Sequence, residues 1–147
     1  MPITTYTSAL QFLGVAKEST HGTPVSMSTT VPVEEFSWDQ TFEQLKDASW
    51  RGHMSATSDV VQGTTKTEFD IKGAAYGDVL GHWLLNILGD LTTTTGGAGE
   101  PNEHEFSLLN SGQGQPPSHT LTHHMGVASR QIPGACLSDL TLKWSAE

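Results

Sequence analysis

One segment of the chain has the periodicity of an amphipathic helix. Between residues 76 and 88, apolar side chains recur at one-turn spacing and form a wide stripe. Asp78 lies near the start, where the helix dipole favours a carboxylate, and Gly89 follows as a residue suited to end a helix. The predicted core face of this helix consists of Val79, Leu80, Trp83, Leu84, Ile87 and Leu88.

The remaining ordered segments have the period of two that is typical of strands. Thr67, Phe69 and Ile71, for example, alternate with polar neighbours, which indicates one dry and one wet face. Strands are expected at residues 10–16, 33–42, 60–73, 105–109, 119–125 and 137–145, and turn-rich loops at 17–24, 26–30, 90–103 and 111–118. The predicted fold is mainly β: an antiparallel sandwich or barrel with one flanking α-helix and a long extended loop.

The stretch from residue 31 to residue 50 fits both a strand and a helix. Phe36, Trp38 and Phe42 share a face in a strand, whereas Trp38, Phe42 and Leu45 share one in a helix. We interpret residues 33–42 as a strand that leads into a long excursion ending near residue 57. Trp38, Phe42, Leu45 and Trp50 then either cover the domain's own core or pack against a neighbouring subunit.

The composition narrows the classes of function. The chain of 147 residues has the size of one domain, either complete or the N-terminal part of a longer product. It has 16 acidic and seven basic residues, which gives a net charge of −9. Because phosphate contacts depend on Lys and Arg, a surface that binds nucleic acid is not expected. We find no signal-peptide pattern and no apolar run of membrane-spanning length, and we expect no membrane partner.

The single cysteine excludes an intrachain disulfide. Cys136 lies between Ala135 and Leu137 and is expected to be a buried small hydrophobe.

Residues that carry catalytic or metal chemistry are sparse. No nucleophile elbow or phosphate-binding glycine loop is present. His119 and His123 share one face of a predicted strand and His124 the other, while the segment 103–105 adds Glu, His and Glu. A zinc site needs three or four converging ligands, and surface histidines explain this pattern more simply. We therefore expect no enzyme activity, no metal and no cofactor.

Four segments together resemble the major tail tube proteins of siphophages, the long-tailed bacteriophages. They are GVAKESTHGTPV at residues 14–25, GDVLGHWLLNILGD at 77–90, HEFSLLNSGQGQPPSHTLT at 104–122 and RQIPGACLSDLTL at 130–142. The resemblance implies two packed sheets with a helix on the flank. It also implies hexameric rings that stack into a virion tail tube, assembled in the host cytoplasm, through which DNA passes without specific binding.

The resemblance also suggests roles for particular residues. The segment 38–57, with Trp38, Phe42, Leu45 and Trp50, would be an inter-subunit arm, and Glu68 and Asp70 would line the lumen. Other partners would be the tape measure, tail terminator and distal tail proteins. The alternatives are another virion β-protein, such as a tail terminator or head decoration protein, and a lectin-like or His-metal binding module.

Overall fold

A computed structural model describes residues 10–49, 52, 59–110 and 114–144. It contains eight strands and one helix, and the prediction of a mainly antiparallel β fold with a single helix is confirmed. The elements are β1 Gln11–Lys17, β2 Thr29–Val31, β3 Glu35–Asp47, β4 Asp59–Lys72, α1 Gly77–Leu88, β5 Gly89–Thr94, β6 Glu103–Leu108, β7 His119–Met125 and β8 Ser129–Ala135.

Contacts divide the chain into two compact units. Residues 33–73, which contain β3 and β4, form one unit, and the residues before and after them form the other, which we call the body.

The core of the body is a four-stranded antiparallel sheet in the order β2-β1-β7-β8. In β1, Leu13 and Val15 are fully buried, and they pair with His123 and Leu121 of β7. Since paired residues share a face, this side of the sheet holds the largest buried side chains. The alternating sequence of β7 predicted its bounds correctly.

Helix α1 begins at Gly77 and ends at Leu88, within one residue of the predicted bounds, and Gly89 caps its end. Gly89 has φ +94°, and its amide donates to the carbonyl of Leu85. A residue with a Cβ is strained at this φ, and the added Cβ would lie 2.8 Å from that of Leu109.

The helix does not bury its apolar stripe evenly. Of the six predicted core-face residues only Val79 is buried, and the other five are half-buried. Leu85 and the polar Asn86 are buried instead. The side of the helix against the sheet therefore includes a polar residue that the apolar pattern omitted.

Strand β5 corrects the prediction of a loop over residues 90–103. Residues 89–94 pair with β6 along its whole length, from Gly89 opposite Leu108 to Thr94 opposite Glu103. Its run of threonines is a strand sequence, and only the turn from residue 95 to 102 is loop. Likewise, β2 begins at Thr29, inside the loop predicted for residues 26–30, and ends one residue beyond it.

The end of the chain departs from prediction in two ways. The sequence patterns did not predict β8, because Pro133 and Gly134 are unusual inside a strand. The pairing of β8 with β7 is irregular at these two residues. Conversely, the described residues of the strand predicted over 137–145 have no ladder partner within the described chain.

Cys136 is exposed, contrary to expectation, because Ala135 is the last inward-facing residue of β8 and its neighbour points outward.

Candidate functional site

The unit of residues 33–73 is a long antiparallel hairpin. Strand β3 has 13 residues and β4 has 14, and they pair from Glu35 opposite Lys72 to Asp47 opposite Asp59. The first five residues of the predicted excursion, 43–47, are therefore strand, because β4 supplies a partner that local sequence patterns do not reveal. Trp50, Arg51 and residues 53–57 of the predicted arm lie outside the described residues.

One face of the hairpin is apolar. Phe36 pairs with Ile71 and Trp38 with Phe69, so these four side chains lie together. Phe42 continues the same face along β3. Trp38 is 37% and Phe42 54% exposed in the single chain.

Beyond Phe42 the ladder changes register. Two residues of β4 stand opposite one of β3, which is the arrangement of a β-bulge. Leu45 then pairs with Val61, and both are more than half exposed. By alternation along β3, Leu45 lies on the opposite side from Phe42, so the predicted arm residues do not form one continuous stripe.

The other face of the hairpin is charged. Between the start of β3 and the bulge, its carboxylates outnumber its lysines five to two: Glu35, Asp39, Glu43, Glu68 and Asp70 against Lys66 and Lys72. These seven residues are all exposed.

Two ion pairs join the lysines to the carboxylates. Lys72 Nζ lies 2.8 Å from Glu35 Oε2 and also faces Asp70, and Lys66 pairs with Glu68. Hydrogen bonding and charge attraction from Lys66 lower the pKa of Glu68, and the same effects from Glu35 raise the pKa of Lys72. The structure places Glu68 and Asp70 on the side of the hairpin opposite Trp38.

In the body, a buried carboxylate joins three segments. Glu18 is 4% exposed, and its oxygens accept hydrogen bonds of 2.6–2.8 Å from the amides of Gly22 and Gly134 and the hydroxyls of Ser118 and Thr120. Burial alone would raise the pKa of this carboxyl, but the four donors outweigh it and lower the pKa to about 2. Glu18 thus fixes the turn after β1 and the edge strand β8 to the sheet.

A second buried polar residue attaches the helix. The side-chain nitrogen of Asn86 lies 3.1 Å from the carbonyl oxygens of both Pro117 and Ala135 and 2.7 Å from Nδ1 of His119. Its oxygen accepts the amide of Leu137 at 2.6 Å. The sequence signal for this role is a lone Asn within the apolar run of the helix, and the apolar periodicity by itself does not predict it.

His82 and His119 lie between the helix and the sheet. Their ring centroids are 5.5 Å apart and the rings meet edge to face, and His82 Nε2 is 3.3 Å from the hydroxyl of Thr29. Burial lowers the pKa of both histidines, and with the charge of His82 nearby the pKa of His119 falls to about 4. His119 is therefore a buried core residue, and His82 lies half-buried beside it.

The structure also separates the residues considered for a metal. His119 is buried, whereas Glu103, His104 and Glu105 are exposed in β6. Nδ1 of His104 forms a hydrogen bond of 2.9 Å with the hydroxyl of Thr93. Among the described residues, no group of three histidine, cysteine or acidic side chains is placed to hold a metal ion. Within the same residues, no helix has the length and apolar character of a membrane span.

Comparison with known proteins identifies the family of the chain. A family model described as phage tail tube protein matches residues 8–147, nearly the whole sequence. The chain belongs to the phage tail tube protein family. No curated protein and no solved structure gives a match.

Family membership makes this tail tube protein a structural component of the phage tail. The family implies that copies assemble with one another and with other tail proteins, and it suggests a role without catalysis. The feature that bears on assembly is the hairpin with its two different faces.

Proposed function

We propose that the protein is the major tail tube subunit of a siphophage, and that it forms stacked hexameric rings around a channel for DNA. The observation that carries this proposal is the hairpin of β3 and β4, which has an apolar face, an acidic face and two outer edges. A two-stranded ribbon of this kind is only marginally stable alone, so contacts with other subunits would complete it.

The apolar face supports the role of an inter-subunit arm. Trp38 and Phe42 are exposed on the hairpin. Its two strands pair with each other, but none of their described residues is buried. Large aromatic side chains of this kind are enriched at the centres of protein interfaces. We assign the arm to the hairpin, with Trp38 and Phe42 on the face that meets the neighbouring subunit and Leu45 beyond the bulge.

The acidic face supports the lining of a DNA channel. Glu68 and Asp70 lie on the side opposite the aromatic residues, so docking of the apolar face leaves them in water. A wall with an excess of carboxylates repels phosphate, and DNA would therefore slide along it without binding. Tape measure, tail terminator and distal tail proteins are the further partners we propose, with assembly in the host cytoplasm.

Electron microscopy of purified protein tests the arm. Trp38→Ala combined with Phe42→Ala should give a folded protein, by circular dichroism, that no longer forms tubes or stacked rings. Glu68→Gln combined with Asp70→Asn is the matched control on the opposite face and should still form them. If the aromatic variant forms normal tubes, the hairpin is not the inter-subunit arm. If the wild type forms closed rings that never stack, a tail terminator or head decoration protein is favoured.

The channel lining has a separate test. Glu68→Lys combined with Asp70→Lys should assemble into tubes that bind DNA in a salt-dependent manner, because added lysines release counterions from phosphate. Wild-type tubes should not bind DNA at the same ionic strength. If the lysine variant assembles and its DNA binding equals that of the wild type, these two residues do not face the channel.

A further inference from the structure

The hairpin has apolar side chains on both of its sides, at different positions along its length. Before the bulge they lie on the side of Phe36, Trp38 and Phe42. Beyond the bulge, Leu45 pairs with Val61 on the opposite side. These two side chains, which we call the distal patch, are 54% and 57% exposed. The hairpin therefore presents a second apolar surface that faces away from the first.

The bulge itself creates the distal patch. Without the extra residue in β4, the register before the bulge would place Gln62 opposite Leu45, whereas the shifted register places Val61 there. The hydroxyl of Thr64 donates a hydrogen bond of 2.8 Å to Oε2 of Glu43, and a Cβ on Gly63 would lie only 3.1 Å from the same oxygen. A glycine thus permits the close approach on which the bulge depends.

The charges around the distal patch determine which surface fits it. Glu43 and Asp59 lie on the same side as Leu45 and Val61, and both are exposed. If the patch met the same patch of another copy, these carboxylates would face each other, and like charges oppose such a contact. The distal patch therefore fits a different surface, one that combines an apolar group with a positive charge. A contact between two unlike surfaces can repeat from copy to copy.

One place in the body combines these two properties. The body has three residues of Lys or Arg type: Lys17, Arg130 and Lys143. Lys17 lines a cavity among polar residues and prolines, and Arg130 is half-buried. Lys143 is exposed and precedes Trp144, which at 85% is the most exposed large hydrophobic residue that the structure describes. Tryptophan is among the residues that contribute most to binding at protein interfaces.

We propose that the distal patch docks on Lys143 and Trp144 of a second copy of the chain, and that this copy is not the one that meets Trp38 and Phe42. The inference rests on the proposed function, because it requires that copies assemble. Membership of the tail tube family supports a second copy as the occupant, since the family implies that copies assemble with one another. A partner that packs flat on one side of a two-stranded ribbon leaves the other side uncovered, so each hairpin links two neighbours.

This docking also limits the acidic channel wall. The side of the hairpin opposite Trp38 is charged before the bulge, whereas Leu45 and Val61 lie on it beyond the bulge. A second copy that covers the distal patch removes these apolar side chains from water and leaves the carboxylates in contact with it. The bulge is therefore the boundary between the channel lining and the contact with the next copy.

The first test compares two adjacent valines. Val60 and Val61 are 50% and 57% exposed and lie on opposite sides of β4. Val61→Glu should give a folded protein, by circular dichroism, that forms small oligomers in sedimentation velocity but no tubes in electron micrographs. Val60→Glu adds the same charge on the other side and should still form tubes. Tubes from both variants, loss of tubes in both, or only monomers from Val61→Glu would overturn the inference.

The second test reverses charges across the proposed contact. Asp59→Lys and Lys143→Glu should each raise the protein concentration at which tubes form, because each places like charges at the contact. The double variant restores opposite charges and should form tubes at nearly the wild-type concentration. If the double variant is no better than Lys143→Glu alone, Lys143 does not dock beside Asp59.

Asp90 provides the matched control for this reversal. It is exposed, like Asp59, and each of the two carboxylates accepts a hydrogen bond from the amide of the following residue. Asp90→Lys combined with Lys143→Glu has the same net charge as the double variant above, but should remain impaired in tube formation. Equal rescue by Asp59→Lys and Asp90→Lys would refute the specific contact.

The two proposals fail differently. If wild-type protein forms neither rings nor tubes, the proposed function is wrong. If wild type and Val61→Glu form tubes alike, the assembly role stands and the docking of the distal patch does not.

Discussion

At the scale of single residues, Glu18 links pH to stability. Its folded-state pKa of about 2 lies below the ordinary 4.5, so the unfolded chain takes up a proton first as the pH falls. The stabilisation is fully present above pH 4.5 and is lost as the pH falls towards 2. A difference of this size corresponds to roughly 3 kcal/mol.

Urea titrations at several pH values measure this contribution. The free energy of unfolding of the wild type should decrease between pH 4.5 and pH 2, and Glu18→Gln should remove that part of the decrease. Glu18→Gln should also be less stable at pH 7, because a neutral amide is a weaker acceptor for four donors than a carboxylate. An unchanged pH profile in the variant would show that the four hydrogen bonds do not act as described.

His119 gives a second, separate pH dependence. Its pKa of about 4 lies below the ordinary 6.5, so the unfolded chain binds a proton that the folded chain excludes. Stability is therefore complete above pH 6.5 and decreases as the pH falls towards 4. Protonation would also place two donors face to face, because Nδ1 lies 2.7 Å from the Asn86 nitrogen.

Replacing His119 by Gln should remove most of the decrease in stability between pH 6.5 and pH 4, measured as the urea midpoint. His82 contributes in the same direction, since burial lowers its pKa as well. His104→Gln, on an exposed strand, is the control and should leave the decrease in place. If the His119→Gln variant retains the full decrease in stability, that decrease arises from the titration of other groups.

At the scale of elements, the end of the helix depends on Gly89. Gly89→Ala should lower the free energy of unfolding by about 1 kcal/mol or more, because alanine is strained at φ +94° and its Cβ would meet Leu109. Gly77→Ala at the other end is the matched control. Its Cβ would have open space, and it should be neutral or stabilise by about 0.4–1 kcal/mol.

Thermal unfolding followed at 222 nm compares these two glycine variants. Equal midpoints for Gly89→Ala and Gly77→Ala would contradict the proposed strain at the helix end.

Local patterns predicted the elements whose signals are local. The helix was predicted because its periodicity and terminal glycine lie within 14 residues, and β7 because its alternation is uninterrupted. Strand β5 was missed because its residues lack an alternation of apolar and polar side chains, and β8 because it contains Pro133 and Gly134. Both depend on partners elsewhere in the chain. Residues 137–144 show the reverse case, in which a strand pattern has no partner within the described chain.

The sequence indicated which residues belong to the candidate site but not how they are arranged. The aromatic residues Trp38 and Phe42 and the acidic residues Glu68 and Asp70 were identified separately, the first two as part of a proposed arm and the last two as part of a predicted strand. Their pairing in one hairpin depends on a ladder between segments about 30 residues apart, and only that ladder shows that they occupy opposite faces. Asn86 and Glu18 were missed because a buried polar residue is recognised by its partners, which are distant in sequence.

At the scale of the whole molecule, the two units differ in what stabilises them. The body has a buried core that includes Leu13, Val15 and Leu121, each with no exposed area. In the hairpin, Phe36, Phe69 and Ile71 are half-buried, and no described residue of β3 or β4 is buried. A unit without a core opens at lower free energy than one with a core.

Hydrogen exchange should therefore distinguish the two units and follow assembly. In the unassembled protein, amides of β3 and β4 should exchange faster than those of β1 and β7, because opening the hairpin exposes little apolar surface. In tubes, β3 and β4 should become strongly protected, and the Trp38→Ala, Phe42→Ala variant should remain in the fast regime under the same conditions. A hairpin that is as protected in the monomer as in the tube would mean that it is stable without neighbours, and the apolar face would then need another explanation than assembly.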